Sequence, residues 1–214
     1  MRKQSGFNYT DALHILCRDI CKRVKEFRNI DAEKIGYVCK NVRNKDSRYG
    51  CWASMTPLRF ENGSLVTFKG RKYFKCQTVY GPDLKTPLLY IFSVMAPRFM
   101  DALSPREKID TVMHELYHIN PLFNGDVRRF PGRYWQHGSK KEYEAKSKSL
   151  ADEWLASDPD PRIYDFLKYT ISYFQEKCGG IIGAKLKRVR LIPITEKEAL
   201  RLDQSLKKTG LRVP

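Results

Sequence analysis

Between Ser104 and Pro121 the sequence specifies one helix at both ends and along one face. Ser104 suits the N-cap, Pro105 the first helical position, and Glu107 stands three residues after Ser104, which completes a capping box. Ile109, Val112, Met113, Leu116 and Tyr117 recur at spacings of three and four and define an apolar face. Asn120-Pro121 predicts the stop. At about 100° and 1.5 Å per residue, His114 and His118 lie one turn apart, about 6 Å along the axis, on the side away from that face. A fold that accepts this helix buries its apolar face and leaves two imidazoles converging on one point outside it.

The segments on either side alternate in character. Residues 8–27 predict an opening helix, with Tyr9, Leu13, Leu16, Ile20 and Val24 on one face. Strands are expected in 34–43, in 51–60 (an edge or bent strand because of Pro57), in LVTFKG and KYFKCQTVY within 65–80, and in LLYIFSVM at 88–95. Glu61-Asn62-Gly63 predicts a hairpin turn. A second helix is expected over 139–156, a linker at Asp158–Pro161, and a further helix over 162–177 that stops at Gly179-Gly180. The end of the chain predicts an apolar-basic strand, IIGAKLKRVRLIPI, and an amphipathic helix from Thr195 to about Lys208. This order of elements predicts an α+β fold: an N-terminal helix, a twisted, mainly antiparallel or mixed sheet, the His114/His118 helix and a following helix. Residues 1–157 form the main domain, and 158–214 a basic α/β C-terminal appendage.

Composition narrows the partners. Hydrophobic residues make up 42% of 214, enough for a core. No run approaches the roughly 18 to 20 apolar residues of a membrane span, so no membrane partner is expected. Asp11, Arg18 and Asp19 interrupt any leader-like apolar stretch, and the expected location is the cytoplasm. In such a compartment the six cysteines are read as free thiols; Cys17 and Cys21, four apart on the first helix, are the pair with metal-ligand spacing. The net charge is +16, unevenly spread: residues 1–100 hold 19 basic against 8 acidic side chains, 101–160 hold 9 against 11, and 161–214 hold 12 against 5. Basic flanks around a near-neutral centre suit a nucleic acid held away from the two histidines, or equally a solvated basic surface. In the tail, Lys185, Lys187, Arg188 and Arg190 place several cations on one strand face suited to phosphate.

HELYH at 114–118 carries the chemistry. Paired imidazoles at i and i+4 are zinc ligands, and Glu115 beside them is placed to take a proton from a metal-bound water. Catalytic zinc usually has three protein ligands. His137, next to the permissive Gly138, is the expected third; Glu142 and Glu144 on the next helix are the alternatives. His14, on the first helix, is read as structural. Arg133, Tyr134 and Tyr143 are candidate donors to a developing oxyanion. Asp126 either fixes the tautomer of a ligand imidazole or pairs with Arg128 or Arg129 on the surface. LLYIFSVM is read either as an edge that receives an extended substrate or as a core strand.

HELYHINPLFNGDVRRFPGRYWQHG resembles a phage metallopeptidase family that sits near the SprT-like zincins, over about residues 30–155. The resemblance implies a zincin-like fold and a zinc-dependent metallopeptidase (a hydrolase, of endopeptidase type) acting on a protein or peptide substrate, and with the basic flanks the expected place of action is near DNA. It implies His114, His118 and His137 as ligands of Zn2+ and Glu115 as general base. The chain departs from the SprT-like pattern after Gly138, where SKKEY follows, and in having only Cys178 where those proteins often carry four cysteines. EYEAKSKSLADEWL is also similar to the ImmA/IrrE-like metallopeptidases, in which a helical glutamate is a ligand. The alternative reading is a nucleic-acid-binding protein with a structural zinc site and no peptidase activity.

Overall fold

Alternating side chains on three short strands make the centre of the molecule. A computed structural model describes residues 6–42, 50–132, 136–186 and 188–208, with 203–208 as backbone only. Strand β1 (Phe7–Asn8) leads into helix α1 (Tyr9–Arg23), whose start is capped by the Asn8 side chain accepting from the Asp11 N–H. Strands β2 (Ile35–Asn41) and β3 (Ala53–Pro57) follow, then β4 (Val66–Lys69) and β5 (Lys72–Cys76), then β6 (Tyr90–Ala96). Helices α2 (Arg98–Ala102), α3 (Pro105–Tyr117), α4 (Lys140–Ala156) and α5 (Ile171–Cys178) come next, and strands β7 (Ile181–Ile182) and β8 (Leu191–Ile194) precede helix α6 (Glu196–Lys208).

The main sheet has the order β2-β6-β3. It is mixed: β2 runs parallel to β6, Ile35 opposite Tyr90, and β3 runs antiparallel to it, Met55 opposite Phe92. With a side-chain period of two, Ile35, Tyr37, Tyr90, Phe92, Val94 and Met55 share one face. That face packs into one core with Leu13, Leu16 and Ile20 of α1, Val112, Met113 and Leu116 of α3, and Leu150 and Trp154 of α4. Each large side chain withdrawn from water there contributes about 1.5–3 kcal/mol. Beyond the break at Asp158–Pro161 the chain adds Phe166, Leu167 and Phe174 to the same core, and β7 pairs in parallel with β1. Buried Lys108 of α3 donates to the Leu167 carbonyl at 2.8 Å, tying this segment to the helix.

The fold is α+β, as the order of elements predicts, and several details differ. The turn at 61–63 forms, but it joins no hairpin, because β3 is already paired to β6. The hairpin lies one turn later, β4 to β5, closed by Gly70 and Arg71, which both have positive φ. The expected helix over 162–177 is two 3₁₀ turns, Pro161–Ile163 and Asp165–Lys168, and then α5, whose start is fixed by the Thr170 side chain accepting from the Tyr173 N–H. The expected tail strand is two strands in different sheets: β7 pairs with β1, and β8 extends the antiparallel sheet β4-β5-β8. Lys185, Arg188 and Arg190 therefore lie on irregular backbone between them, not on a strand face; Lys187 falls outside the described residues. LLYIFSVM is the central strand, since it has a partner on both sides; β3 is an edge. Among the described residues, no helix is long and apolar enough to cross a membrane.

Candidate metal centre

Helix α3 begins where the sequence places it. The Ser104 hydroxyl accepts from the Glu107 N–H at 3.3 Å, and the Glu107 carboxylate accepts from the Ser104 N–H at 2.8 Å. Ile109, Val112, Met113 and Leu116 are buried, which fixes the rotation of the helix and turns His114 and His118 away from the core. The two ring Nε2 atoms lie 3.2 Å apart.

His137 closes the group. Ligand atoms of His114, His118 and His137 all lie within 4.8 Å of one another, so these three residues can hold a metal ion. The backbone reaches this position through Gly138, with φ +60°, packed so closely on Phe130 that a Cβ would stand 3.3 Å from it. Only a glycine takes that conformation without strain. Burial first, then His137, holds the His114 imidazolium down to about 4; burial, then His114 and His137, holds His118 down to about 3. Burial also lowers His137. All three rings are thus neutral near pH 7, the form in which imidazole offers a lone pair.

Tyr143 of α4 fills the space behind the rings. Its own ring centroid lies 4.7 Å from His114, 5.1 Å from His118 and 4.8 Å from His137, and its hydroxyl donates to the His114 carbonyl at 3.2 Å. The hydroxyl of Tyr143, a candidate oxyanion donor, is thus engaged by the helix backbone, and its ring packs against all three imidazoles. Arg133 and Tyr134 lie outside the described residues. Glu142 and Glu144 flank Tyr143 in sequence and so point about 100° to either side of it. Both are exposed, Glu144 is 3.7 Å from Lys140, and neither joins the three-histidine group.

Glu115 points toward strand β3. It is 7% exposed, and its carboxylate accepts the Met55 backbone N–H; burial, against that hydrogen bond, raises its carboxyl to about 7. Glu115 and the three histidines open on a cavity of about 560 Å³ that runs beside Ser54, Met55 and Pro57 of the edge strand. A second cavity of about 540 Å³ shares Cys51, Ala53, His114 and Glu115 and continues the groove past the start of β3.

The loop after α3 is keyed to the sheet. Tyr90 of β6 accepts the Gly125 N–H at 3.0 Å and donates to the Asp126 carbonyl at 2.7 Å. The buried Asp126 carboxylate accepts from Asn62 N–H, Val127 N–H and the Arg129 guanidinium, so it organises two loops and pairs with Arg129. It is a loop anchor, and Arg128 turns instead to Glu26 and the Tyr117 carbonyl and ring. His14 lies on α1, stacked on Tyr37 and 3.0 Å from Glu33. Cys17 and Cys21 are free, buried thiols, and burial pushes Cys21 up to about 12.

Sequence reasoning missed the seat of Tyr143 and the Met55–Glu115 hydrogen bond. Tyr143 does fall on the apolar period of α4 with Ser147, Leu150 and Trp154, a signal for burial but not for what it is buried against. Comparison of the chain with known protein families, curated proteins and solved structures finds no match.

Proposed function

We propose that the chain is a zincin-like, zinc-dependent metallopeptidase, with His114, His118 and His137 as the zinc ligands and Glu115 as general base. The observation that carries this reading is the convergence of three neutral imidazoles beside one buried carboxylate, at the edge of a sheet. Three nitrogen donors suit zinc, and three protein ligands are what catalytic zinc sites commonly have. When bound, zinc supplies a Lewis acid that polarises a carbonyl and makes water more acidic.

The chain's own residues account for the rest. Met55 N–H holds the Glu115 carboxylate, which takes the proton of the attacking water and delivers it to the leaving amine. Tyr143 keeps the imidazoles from turning away. The edge β3, in place of β6, offers main-chain groups to an extended peptide, because one of its sides has no strand partner among the described residues. The resemblance of HELYH and the later Gln136-His137-Gly138 to SprT-like zincins agrees with this assignment.

Two measurements test it. Elemental analysis should find about one zinc per wild-type chain and clear loss in His137→Ala. A peptidase screen should find hydrolysis by wild type that Glu115→Gln abolishes while retaining zinc. Zinc with no hydrolysis of any peptide substrate would favour a structural zinc in a nucleic-acid-binding protein; no zinc after reconstitution would end both readings.

A further inference from the structure

The outer face of the main sheet, opposite the one that packs on α1 and α3, carries a second cavity of about 700 Å³. Its floor is Val38 and Lys40 of β2, Ile91 of β6 and Thr56 of β3, which the register places on one face. Ser93 shares that face, between Val38 and Ser54; it is fully buried, and its hydroxyl finds no hydrogen-bond partner among the described residues. The roof is the irregular segment between β7 and β8, through Ala184, Lys185, Leu186, Arg188 and Val189.

The roof is held at several points, so the recess is a built feature. Ala184 N–H donates to the Thr10 hydroxyl at 2.8 Å. Leu186 drops onto Gly36, where a Cβ would come within 2.4 Å of its Cδ1; the missing side chain makes the seat. Gln77 N–H donates to the Arg190 carbonyl at 2.9 Å, fixing the far end.

The charge of this recess is one-sided. Among the described residues, Lys40, Lys185 and Arg188 line it and no aspartate or glutamate does. None of the three has a carboxylate partner among the described residues, although most exposed cations near α1 and α3 do, such as Arg23 with Asp19 and Arg106 with Asp110. Partial burial lowers the Lys40 ammonium, a cost that an anion beside it offsets. Three cations exceed what a single carboxylate neutralises. A phosphate monoester carries about −1.5 to −2 and three acceptor oxygens. The volume lies within the roughly 300–1,000 Å³ of small-molecule sites, and Val38, Ile91, Leu186 and Val189 give it an apolar wall.

We propose that this cavity binds a small phosphate monoester of mononucleotide size, its phosphate among Lys40, Lys185 and Arg188 and its uncharged body on Val38, Ile91 and Leu186. The site is separate from the histidine centre and does not depend on the peptidase reading. Cations grouped around a recess, with an apolar floor, favour a small ligand over the extended backbone of a nucleic acid.

The test is calorimetric titration of the full-length, metal-loaded protein with AMP, with adenosine and inorganic phosphate as part-ligands and a single-stranded oligonucleotide as competitor class. The expected result is saturable one-site binding of AMP and weak or no binding of adenosine. Affinity for AMP should fall at least tenfold in the double variant Lys185→Glu, Arg188→Glu, and less in Lys40→Met. All three side chains are exposed, and unchanged circular dichroism and zinc content will show that the variants fold. AMP binding untouched by the double variant would move the anion to the metal centre and overturn the proposal. No saturable binding of AMP or phosphate would overturn it too, and oligonucleotide binding without AMP binding would replace it with a nucleic-acid surface.

Discussion

The two faces of the β2-β6-β3 sheet are made by the same strands and meet different surroundings. On the inner face Tyr37, Phe92, Val94 and Met55 join a core that continues through helices α1 to α5. On the outer face Val38 and Ile91 join Leu58, Val79 and Leu88 in a small cluster, with Cys76, Leu186 and Val189 packed against it, closed by irregular backbone rather than by a helix. The inner face is rigid because close-packed side chains have nowhere to move, and Glu115 is positioned from it through Met55. The outer face is covered by a segment held at a few points, and charge collects there. A sheet can thus place one kind of site where packing fixes geometry and another where packing is thin.

The largest effect should come from Glu115, the proposed general base, held by the Met55 N–H. Glu115→Gln should reduce peptide hydrolysis by about 10²–10⁴-fold, the usual contribution of a positioned acid–base group, with metal content unchanged. Activity close to wild type would remove Glu115 as the base and detach the inner face from catalysis. Next in size, Phe92→Ala should cost about 3–5 kcal/mol in denaturant unfolding, because Phe92 is fully buried. It lies opposite Met55 in the sheet, so turnover should fall as well.

Lys108 gives a smaller effect with a definite sign. Burial pushes its ammonium down to about 8. The unfolded chain keeps an ordinary lysine near 10.4. Between about pH 8 and 10.4 the unfolded state holds the proton that the folded state has released, so stability rises with pH across that window. The gain is at most about 3 kcal/mol, from about 2.4 units at 1.36 kcal/mol each. Lys108→Met should flatten the rise, measured as chemical unfolding at pH 7.5 and 10; an unchanged slope would assign it to other groups. The smallest effect belongs to the outer face. Ile91→Val should cost about 0.5–1.5 kcal/mol and leave peptide hydrolysis intact. Equal damage to activity from Ile91→Val and Phe92→Ala would erase the contrast between the two faces.

What could be read from the sequence follows the range of the interactions involved. The capping box, the start and stop of α3 and the direction of His114 and His118 depend on neighbours within one or two turns, and these are legible. His137 was legible as a candidate because histidines are few and Gly138 follows it; its convergence with the other two needed the fold. Glu142 and Glu144, the alternatives to it, are exposed, because Tyr143 between them takes the inward position. The strand order was not legible. Pro57 marks 51–60 as an edge or bent strand, and β3 is an edge; that β2 returns in parallel beside β6, and so puts LLYIFSVM in the centre, is a pairing between distant segments with no local signature. The β4-β5 turn at Gly70-Arg71 escaped because an arginine at positive φ is not an expected turn residue, while Asn62-Gly63 drew attention to the wrong place.

His114 and His118 sit on one helix, but His137 arrives only after the chain has left the helix, turned past Tyr90 and come back. A cation shared by the three is therefore also a cross-link that closes this excursion into a loop. Closing a loop removes freedom from the unfolded chain, at a cost that grows only slowly with its length, so ion affinity and chain stability become one linked quantity. Chelation should then do more than stop a reaction: it should loosen the backbone after Tyr117 and make it the first place a foreign protease cuts.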